Sequence, residues 1–493
     1  MEKNSVYEQT SSLKKLHPIW IGFRLFKSIR SLILFIVFLF IVLDMSSNSI
    51  FSWYGTTLIG IFIVYQIGAS VLEWYRFGYY FDQEEIYVQK GRFVKMKRFF
   101  PLDLVQGINQ NTLLIHRMLG LTSLLIDVGS SDRDSSIKLE MITIEEAEQI
   151  KKILSKYGNI QVNEPVASDK DQKEGHKDKN FTHHYTIETN EILIASLTSL
   201  RLLFFLSVLY SVYSQLSQFL PIEEHINKAI AYFQTSIQML LLGIALLILC
   251  SMIYGFVKTF IQYGGLVVTS DAHRIYLEKG IGSKTSFSIP KDNIQALSIN
   301  SGFIHRMLKI VNVRLISATD VNDEDIKASN ILFPFINRQR AFTLVPEVVP
   351  SFAITGSMSN IPKRSILVKL LRTMYIWLLL PLGIFLFIPG FWYIAVLAFV
   401  ITLTSQIVSG LCSSYSLNGQ FLQLRKVGVS TRLFIMRRDR IERIMLSETM
   451  IQRKMGLASL KVTTRARPTK VITMHDVPIQ IALQCQSWFI NED

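Results

Sequence analysis

Three arginines hold the positions in this chain whose residue types and spacing most clearly suggest chemistry. Each arginine closes a set that begins with a glycine and continues with an aspartate and a glutamine or glutamate. The intervals from the glycine are 12, 15 and 26 residues in two sets and 11, 14 and 25 residues in the third. This agreement indicates a module that is repeated three times. The sets are Gly91, Asp103, Gln106 and Arg117; Gly280, Asp292, Gln295 and Arg306; and Gly428, Asp439, Glu442 and Arg453.

An arginine at the same place in every module has two interpretations. Its guanidinium can bind a lipid phosphate or a partner's carboxylate through paired N–H groups. It can instead serve the fold, by capping a turn or by pairing with the aspartate of its own module. Its presence in all three modules favours the structural role.

The basic charge of the third module is a second candidate for chemistry. The chain has 52 Lys and Arg against 38 Asp and Glu, a formal net charge of +14. We predict a surface for anionic lipid headgroups, because each basic residue near an anionic leaflet contributes about 1 kcal/mol of binding free energy. A solvated charged face is the alternative, and no recognised module supports nucleic-acid binding. The residues are Arg432, Arg437, Arg438, Arg440 and Arg443.

Arg201 is the one basic residue well inside an apolar segment. An arginine within a membrane can mark a functional path. However, the 19 uncharged residues from 202 to 220 already suffice to span a bilayer. We therefore favour a helix that begins after Arg201, with this side chain extending to the membrane interface.

The sequence contains no pattern for catalysis, cofactor binding or a metal site. It has no phosphate-binding loop of the P-loop type, no HExxH and no GxSxG. Its three cysteines are widely spaced. His176, His183 and His184 lie in a polar segment without partners at ligand spacing. We predict a non-enzymatic protein without a cofactor, in which these histidines are solvated loop residues.

Long uncharged runs in the sequence are predicted to form membrane-spanning helices, which would hold these residues at a membrane. A spanning helix needs about 20 apolar residues, and the runs pair into three helical hairpins. Pro389 and Gly390 form the predicted turn of the last hairpin. Few Lys or Arg occur at the hairpin tips, which predicts that both termini and all three modules are cytoplasmic. The runs are 31–43, 54–72, 202–220, 229–257 and two within 373–424.

The residues after each hairpin alternate between apolar and polar, which is typical of strands. An amphipathic helix follows at 143–157, where Thr143 and Glu146 form a capping box. Similar helices are predicted at 337–345, cut by Pro346, and after Pro478. The pattern favours an antiparallel sheet pair closed by a C-terminal helix. The strands predicted in the first module are 80–88, 92–99, 105–111, 121–128 and 136–141.

The predicted fold is an α+β membrane protein with six transmembrane helices. Residues 13–25 are either an amphipathic surface helix or the start of the first span. A polar, charged segment at 159–190 is predicted to be a flexible linker. The other predicted parts are an N-terminal segment with hairpin at 1–75, hairpins at 191–260 and 351–412, and sheet domains at 76–158, 261–350 and 413–493.

This layout resembles the bacterial pleckstrin-homology (PH) membrane proteins, and its three-module form is similar to their YdbT-type members. The resemblance rests on the turn glycines, on Gln106 and Gln295 and on the arginine motif. Lys309 replaces a glycine and Glu442 replaces the glutamine, so the modules need not function alike. The resemblance implies a PH-like β-sandwich or barrel with a C-terminal helix. It also implies a cytoplasmic-membrane location and a role in envelope stress or in resistance to membrane-active antimicrobials.

We therefore predict a multi-pass membrane protein whose three domains form a binding or assembly surface at the inner leaflet. A partner membrane protein is expected beside the lipid bilayer, and nucleic acid is not. One alternative is a transport component that exports or flips an amphipathic compound. Another is a scaffold that organises other membrane proteins.

Overall fold

A computed structural model gives the structure of the chain. It describes residues 13–26, 28, 50–82, 84–92, 94–128, 136–157, 181–197, 237–282, 284–317, 330–354, 356–387, 390, 392–466 and 469–490. The chain forms two compact units. The first is Met1–Lys177 with Ser283–Ser288, and the second is Asp178–Gly282 with Ile289–Asp493.

The first unit contains one complete sheet domain after a long apolar helix. Strands β1, β2 and β3 form one antiparallel sheet, and β4, β5 and β6 form a second. The helices are α1 (19–26), α2 (Ile50–Arg76), α3 (Leu114–Met118) and α4 (Ile144–Tyr157). The strands are β1 (Gly78–Phe81), β2 (Glu85–Lys90), β3 (Met96–Pro101), β4 (Val105–Thr112), β5 (Leu121–Val128) and β6 (Ser136–Thr143).

The core of the first unit lies between these sheets and α4. Ile86, Leu124 and Leu154 are fully buried there, and burial of such a side chain contributes about 1.5–3 kcal/mol. The Glu146 amide donates to Thr143 Oγ1 over 3.2 Å, which is the Thr143 half of the predicted capping box. Residues 284–286 extend the second sheet, because they pair antiparallel with the end of β4.

The remaining helices and strands continue in chain order. The helices are α5 (Thr189–Leu197), α6 (Ile237–Tyr263), α7 (Phe303–Met307), α8 (Arg338–Val348), α9 (Ser365–Arg372), α10 (Leu380–Phe387), α11 (Trp392–Cys412), α12 (Met450–Lys454) and α13 (Ile479–Ile490). The strands are β7 (Thr182–Thr186), β8 (Val267–Ser270), β9 (Arg274–Lys279), β10 (Lys284–Pro290), β11 (Ile294–Ser301), β12 (Ile310–Ser317), β13 (Ile331–Asn337), β14 (Ser359–Asn360), β15 (Ser414–Asn418), β16 (Phe421–Lys426), β17 (Thr431–Arg437), β18 (Ile441–Ser447), β19 (Leu457–Thr464) and β20 (Val471–Pro478).

A single seven-stranded sheet joins the second and third modules within the second unit. Its order is β13-β12-β11-β17-β16-β15-β14. The two modules meet at the pairing of β11 with β17, which we call the seam. The seam runs antiparallel from Ala296 opposite Met436 to Ser301 opposite Thr431. Each module thereby covers a strand edge of the other that would otherwise expose unpaired backbone groups.

The prediction of antiparallel sheet domains closed by a C-terminal helix is confirmed. Two details differ. The predicted strand at 80–88 is two strands, β1 and β2, separated by a turn at Asp82. Pro346 lies inside α8 and does not end it, because a proline near the last turn removes only one backbone hydrogen bond.

Three described helical stretches are long and apolar enough to cross a membrane: Thr57–Arg76, Ala245–Tyr263 and Trp392–Cys412. A fourth candidate is the pair Ser365–Arg372 and Tyr375–Leu386, which meet at an angle of 54°. The predicted spans at 31–43 and 202–220, like Arg201, lie outside the described residues. The described part of the chain therefore holds three candidate spans, or four if the bent pair is one span.

Each module begins earlier in the chain than the sequence predicts. A strand-like segment before each predicted hairpin pairs with the first strand after it. This pairing is a bridge between Lys14 and Tyr79 in the first module, β7 with β8 in the second, and β14 with β15 in the third. The segment interpreted as a linker at 159–190 thus ends in β7 and the start of α5, and its residues 159–180 lie outside the described part.

Lys309 should weaken the second module, because its backbone adopts a left-handed conformation. Its φ of 56° matches those of Gly120 (67°) and Gly456 (62°) at the equivalent points. A side chain there costs about 1 kcal/mol relative to glycine. We expect Lys309→Gly to raise the free energy of unfolding of the detergent-solubilised protein by about that amount. Gly120→Ala, where nothing obstructs the added Cβ, should lower it similarly. If Lys309→Gly instead lowers the free energy of unfolding, the left-handed backbone of Lys309 carries no such strain.

Candidate functional site

The residues of the repeated sets occupy equivalent points in the three modules. Each aspartate is the middle residue of a one-turn 3-10 helix. Gln106, Gln295 and Glu442 are each the extra residue of a β-bulge at the second position of their strand. Such a bulge bends the strand and increases its twist. These two positions therefore shape the sheet domain at the same place each time.

The turn glycines follow the same plan in two modules. Gly91 has a φ of 141° and Gly280 a φ of 95°. A Cβ on Gly91 would lie 1.9 Å from the Val94 carbonyl oxygen, so only glycine fits this turn. Gly428 has no such positive φ and follows β16 by one further residue.

The three arginines are the fourth residues of α3, α7 and α12, which we call the motif helices. Arg117 and Arg453 are exposed, and Arg453 Nε lies 3.5 Å from Glu448 Oε2. Arg306 Nη1 lies 3.5 Å from Thr431 Oγ1. None of them forms an ion pair with the aspartate of its own set in the described part of the chain. The pairing considered from the sequence is therefore wrong for these residues.

The third residue of each motif helix faces inward instead. In the third module this residue is Gln452, whose Nε2 donates to Asp476 Oδ1 over 2.8 Å and to Ser459 Oγ over 2.9 Å. Asp476 is only 3% exposed. Arg372, the last residue of α9, donates to its two oxygens over 3.0 and 2.7 Å. The motif helix is thus tied to the bend in the broken candidate span.

The other two modules make the same connection through aromatic rings. In the second, the His305 ring lies 6.1 Å from Phe335, which lies 5.5 Å from Tyr263 at the end of α6. In the first, the buried His116 ring contacts Phe23 of α1 at 5.0 Å. Arg24 of α1 in turn pairs with Glu73 in the last turn of α2, over 2.9 Å. Every motif helix is therefore connected to a candidate span through intervening side chains: to the last turn of α2, to the end of α6 and to the bend after α9.

The outer face of each motif helix combines an exposed methionine with the arginine. Met118 and Met307, the fifth residues of their helices, are 85% and 70% exposed, and Met450, the first residue of α12, is 87% exposed. The first and fifth positions of a helix lie on the same face. A soluble surface gains nothing from exposed methionines repeated on this face. An apolar side chain beside a guanidinium suits a membrane interface, where the first enters the acyl boundary and the second meets phosphates.

The five arginines predicted to form one lipid surface lie at separate places on the third module. Arg437 and Arg440 pair with Asp439 over 3.0 and 3.2 Å. Arg438 stacks over the Trp488 ring at 5.9 Å. Arg432 lies near the opposite end of β17, and Arg443 lies on β18. The structure pairs two of them with one aspartate and does not bring all five together.

A cavity of about 590 Å³ lies along the seam. Asn300, Arg314 and Arg432 line it together with His305. His305 Nε2 is buried and has no hydrogen-bond partner among the described residues. Burial lowers the pKa of His305, so the ring is neutral at neutral pH.

No group of three or more His, Cys, Asp or Glu within the described ranges could hold a metal ion. His183 and His184, predicted to be loop residues, lie in β7. His183 Nε2 lies 2.8 Å from Thr186 Oγ1, and His184 Nε2 lies 2.9 Å from Ser270 Oγ. His176 lies outside the described residues. The pairing of β7 with β8, which has no signal in the sequence pattern, places these histidines in a sheet.

Comparisons with known proteins agree with the repeated architecture. The family model for the bacterial PH domain matches residues 31–158, 215–347 and 378–490. The UPF0699 transmembrane protein YdbT of Bacillus subtilis (strain 168) is 24% identical over 490 residues, covering 98% of this chain and 99% of that protein. No solved structure matches the chain significantly.

The Asp476 network should stabilise the third module. Asp476→Asn keeps the shape of the side chain but removes the charge to which Arg372 donates. We expect a loss of about 1–3 kcal/mol in the free energy of unfolding, because a buried charged hydrogen-bonding group loses its partner. Thermal unfolding of the full-length protein in detergent measures this. The control, Arg453→Gln, alters an exposed side chain and should change stability by less than about 0.5 kcal/mol; equal effects would contradict the assignment.

His116 should make the first unit sensitive to acid. Burial lowers its pKa from 6.5, and Glu140 opposes this shift. Because the unfolded chain takes up the proton first, stability is complete above pH 6.5 and falls as the pH decreases toward the lowered pKa. His116→Gln, which copies Gln452, removes this titration. We expect a smaller fall in its unfolding temperature between about pH 7.5 and about pH 5 than in the wild type, and an identical fall would refute the role.

Proposed function

The chain belongs to the bacterial PH domain family, with the domain repeated three times, and from this premise we propose that it is a membrane protein whose motif helices bind one leaflet of the bilayer. In this proposal the exposed methionine of each motif helix enters the acyl boundary. The neighbouring arginine meets lipid phosphates. The single observation that carries the proposal is the repetition of this pair, in every module, on a short helix that side-chain contacts connect to a candidate span.

The placement of the sheet domains against the spans supports this arrangement. α2 ends at Arg76 and β1 begins at Gly78, while α11 ends at Cys412 and β15 begins at Ser414. Such short connections hold each domain close to the point where a span would leave the membrane. An arginine and a methionine near that point then lie within reach of the lipid headgroups.

We further propose six spans in three hairpins, with both termini and all three domains on the cytoplasmic side of the cell membrane. The distribution of basic residues supports this orientation, since Lys and Arg concentrate outside the hairpin tips. The anionic cytoplasmic leaflet attracts the net positive charge of the chain.

We propose a non-catalytic role in which the domains assemble with a partner membrane protein to protect the envelope. The continuous sheet across the seam supports an assembly role, because it gives the second and third modules one shared frame. The family resemblance supports a role in envelope stress or in resistance to membrane-active antimicrobials.

The leaflet contact is tested with a fluorescent label at Met118. A Met118→Cys variant of the full-length protein, with Cys250 and Cys412 replaced by alanine and the buried Cys485 retained, is labelled with an environment-sensitive dye and placed in nanodiscs. We expect strong quenching by lipids that carry a spin label near the headgroup, because the side chain lies at the interface.

The matched control is Leu104→Cys, which is exposed at the far end of the same domain. Leu104 is the last residue of the 3-10 helix that begins at Leu102. The Leu102 amide donates to the Glu84 carbonyl over 2.9 Å, and Glu84 follows the end of β1 that is distant from α2. Equal quenching at both positions would refute the leaflet contact.

The link between leaflet contact and envelope protection is tested in a deletion strain challenged with membrane-active compounds. A variant that combines Met118→Asp, Met307→Asp and Met450→Asp should fail to restore resistance. Full rescue by this variant would refute the link.

A further inference from the structure

A second cavity, of about 400 Å³, lies inside the third module where α9, the end of α11, β16 and β20 meet. Its wall carries side chains that bind anions and few that repel them. The polar residues used below are Ser365, Lys369, Arg372, Ser409, Lys426 and His475.

The positive charge of this cavity exceeds its negative charge. Asp476 is the one carboxylate in the described lining, and both of its oxygens receive bonds from Arg372. Lys369 Nζ donates to Ser409 Oγ, which is neutral. No side-chain hydrogen bond or ion pair of Lys426 occurs within the described residues. The charges of the two lysines are therefore uncompensated.

Lys426 is held in this position against electrostatic repulsion. It ends β16 directly opposite Arg432 of β17. Burial lowers its pKa, and Arg432 and Arg372 lower it further. A protein gains no stability by gathering partly buried cations without counter-charges, so the cluster indicates a ligand that supplies negative charge.

Ser365 gives an independent indication of a ligand. It is only 2% exposed, it lines the cavity, and its Oγ has no hydrogen-bond partner among the described residues. Buried hydroxyls in folded proteins are almost always paired. A hydroxyl left unpaired at the wall of a basic cavity is ready to donate to an anion there.

The other two modules fill the equivalent place with their own side chains. His475 is the fifth residue of β20, and its counterparts are Glu140 of β6 and Phe335 of β13. Glu140 accepts from Trp20 Nε1 over 2.8 Å and pairs with Lys138 over 2.8 Å. Phe335 packs against Tyr263. The third module therefore differs at the point where a ligand would enter.

We propose that this cavity binds a phosphate group carried by a lipid headgroup, with Lys369, Lys426 and Ser365 as its donors. A phosphate monoester carries a charge close to −2 at neutral pH, which matches the two uncompensated lysines. α11 is a candidate span, and Ser409 lies in its last turn. The cavity thus opens where lipid phosphates would lie. The lipid source rests on the membrane placement proposed above, whereas binding of phosphate itself does not.

The test measures unfolding temperatures of the full-length protein in detergent. The probes are inorganic phosphate, a short-chain phosphatidic acid and a short-chain phosphatidylcholine. We expect phosphatidic acid to raise the unfolding temperature of the wild type, because a ligand that binds only the folded state stabilises it. Lys426→Met should weaken its affinity about tenfold or more, since one charged hydrogen bond is lost. Without ligand, the same variant should unfold at or above the wild-type temperature.

The control variant is Arg437→Met, on a neighbouring strand but paired with Asp439 outside the cavity. It should keep the wild-type response to phosphatidic acid. Equal affinities in wild type and Lys426→Met would overturn the site, as would the lack of any response in the wild type. If Lys426→Met fails to fold, Ser365→Ala replaces it: weaker binding supports the site, and unchanged binding overturns it.

The source of the phosphate is decided by comparing the probes. A response to phosphatidic acid that exceeds the response to inorganic phosphate and phosphatidylcholine supports a lipid monoester. A response to inorganic phosphate alone overturns the lipid source. Phosphate binding that persists when the label at Met118 shows no leaflet contact refutes the proposed function but leaves this site in place.

Discussion

Each sheet domain is connected to a candidate span through one inward-facing side chain on its motif helix. His116, His305 and Gln452 hold this position, and their contacts lead to the last turn of α2, to the end of α6 and to the bend after α9. The rest of the domain follows from that attachment. The short helix fixes where the arginine and the methionine point, and the strands behind it pack into the core.

The three modules make the same attachment with different chemistry. The first uses a buried imidazole against a phenylalanine, the second a chain of aromatic rings, and the third a buried carboxylate with a guanidinium and an amide. An aromatic contact needs no charged partner, whereas the ionic version places a buried carboxylate and a guanidinium beside each other. The same carboxylate and guanidinium line the basic cavity of the third module.

The repeat, most strands of the first module and the capped helix α4 could be predicted, because each has a local signal in spacing or periodicity. The pairing of β14 with β15 could not, because β14 is only two residues long. The seam has no local signal either, since each of β11 and β17 would be the edge strand of its own module and its partner lies far along the chain. The recurrence of an arginine and an aspartate in every module suggested an ion pair, but a whole strand lies between them: Asp103 precedes β4 and Arg117 follows it.

The strand-like segment that begins each module has a consequence for biogenesis. Because β7 pairs with β8, and Lys14 with Tyr79, the first and last pieces of one sheet are separated in the chain by a long intervening segment. A ribosome delivers the early piece well before its partner. The sheet therefore cannot close until the whole intervening segment has been synthesised.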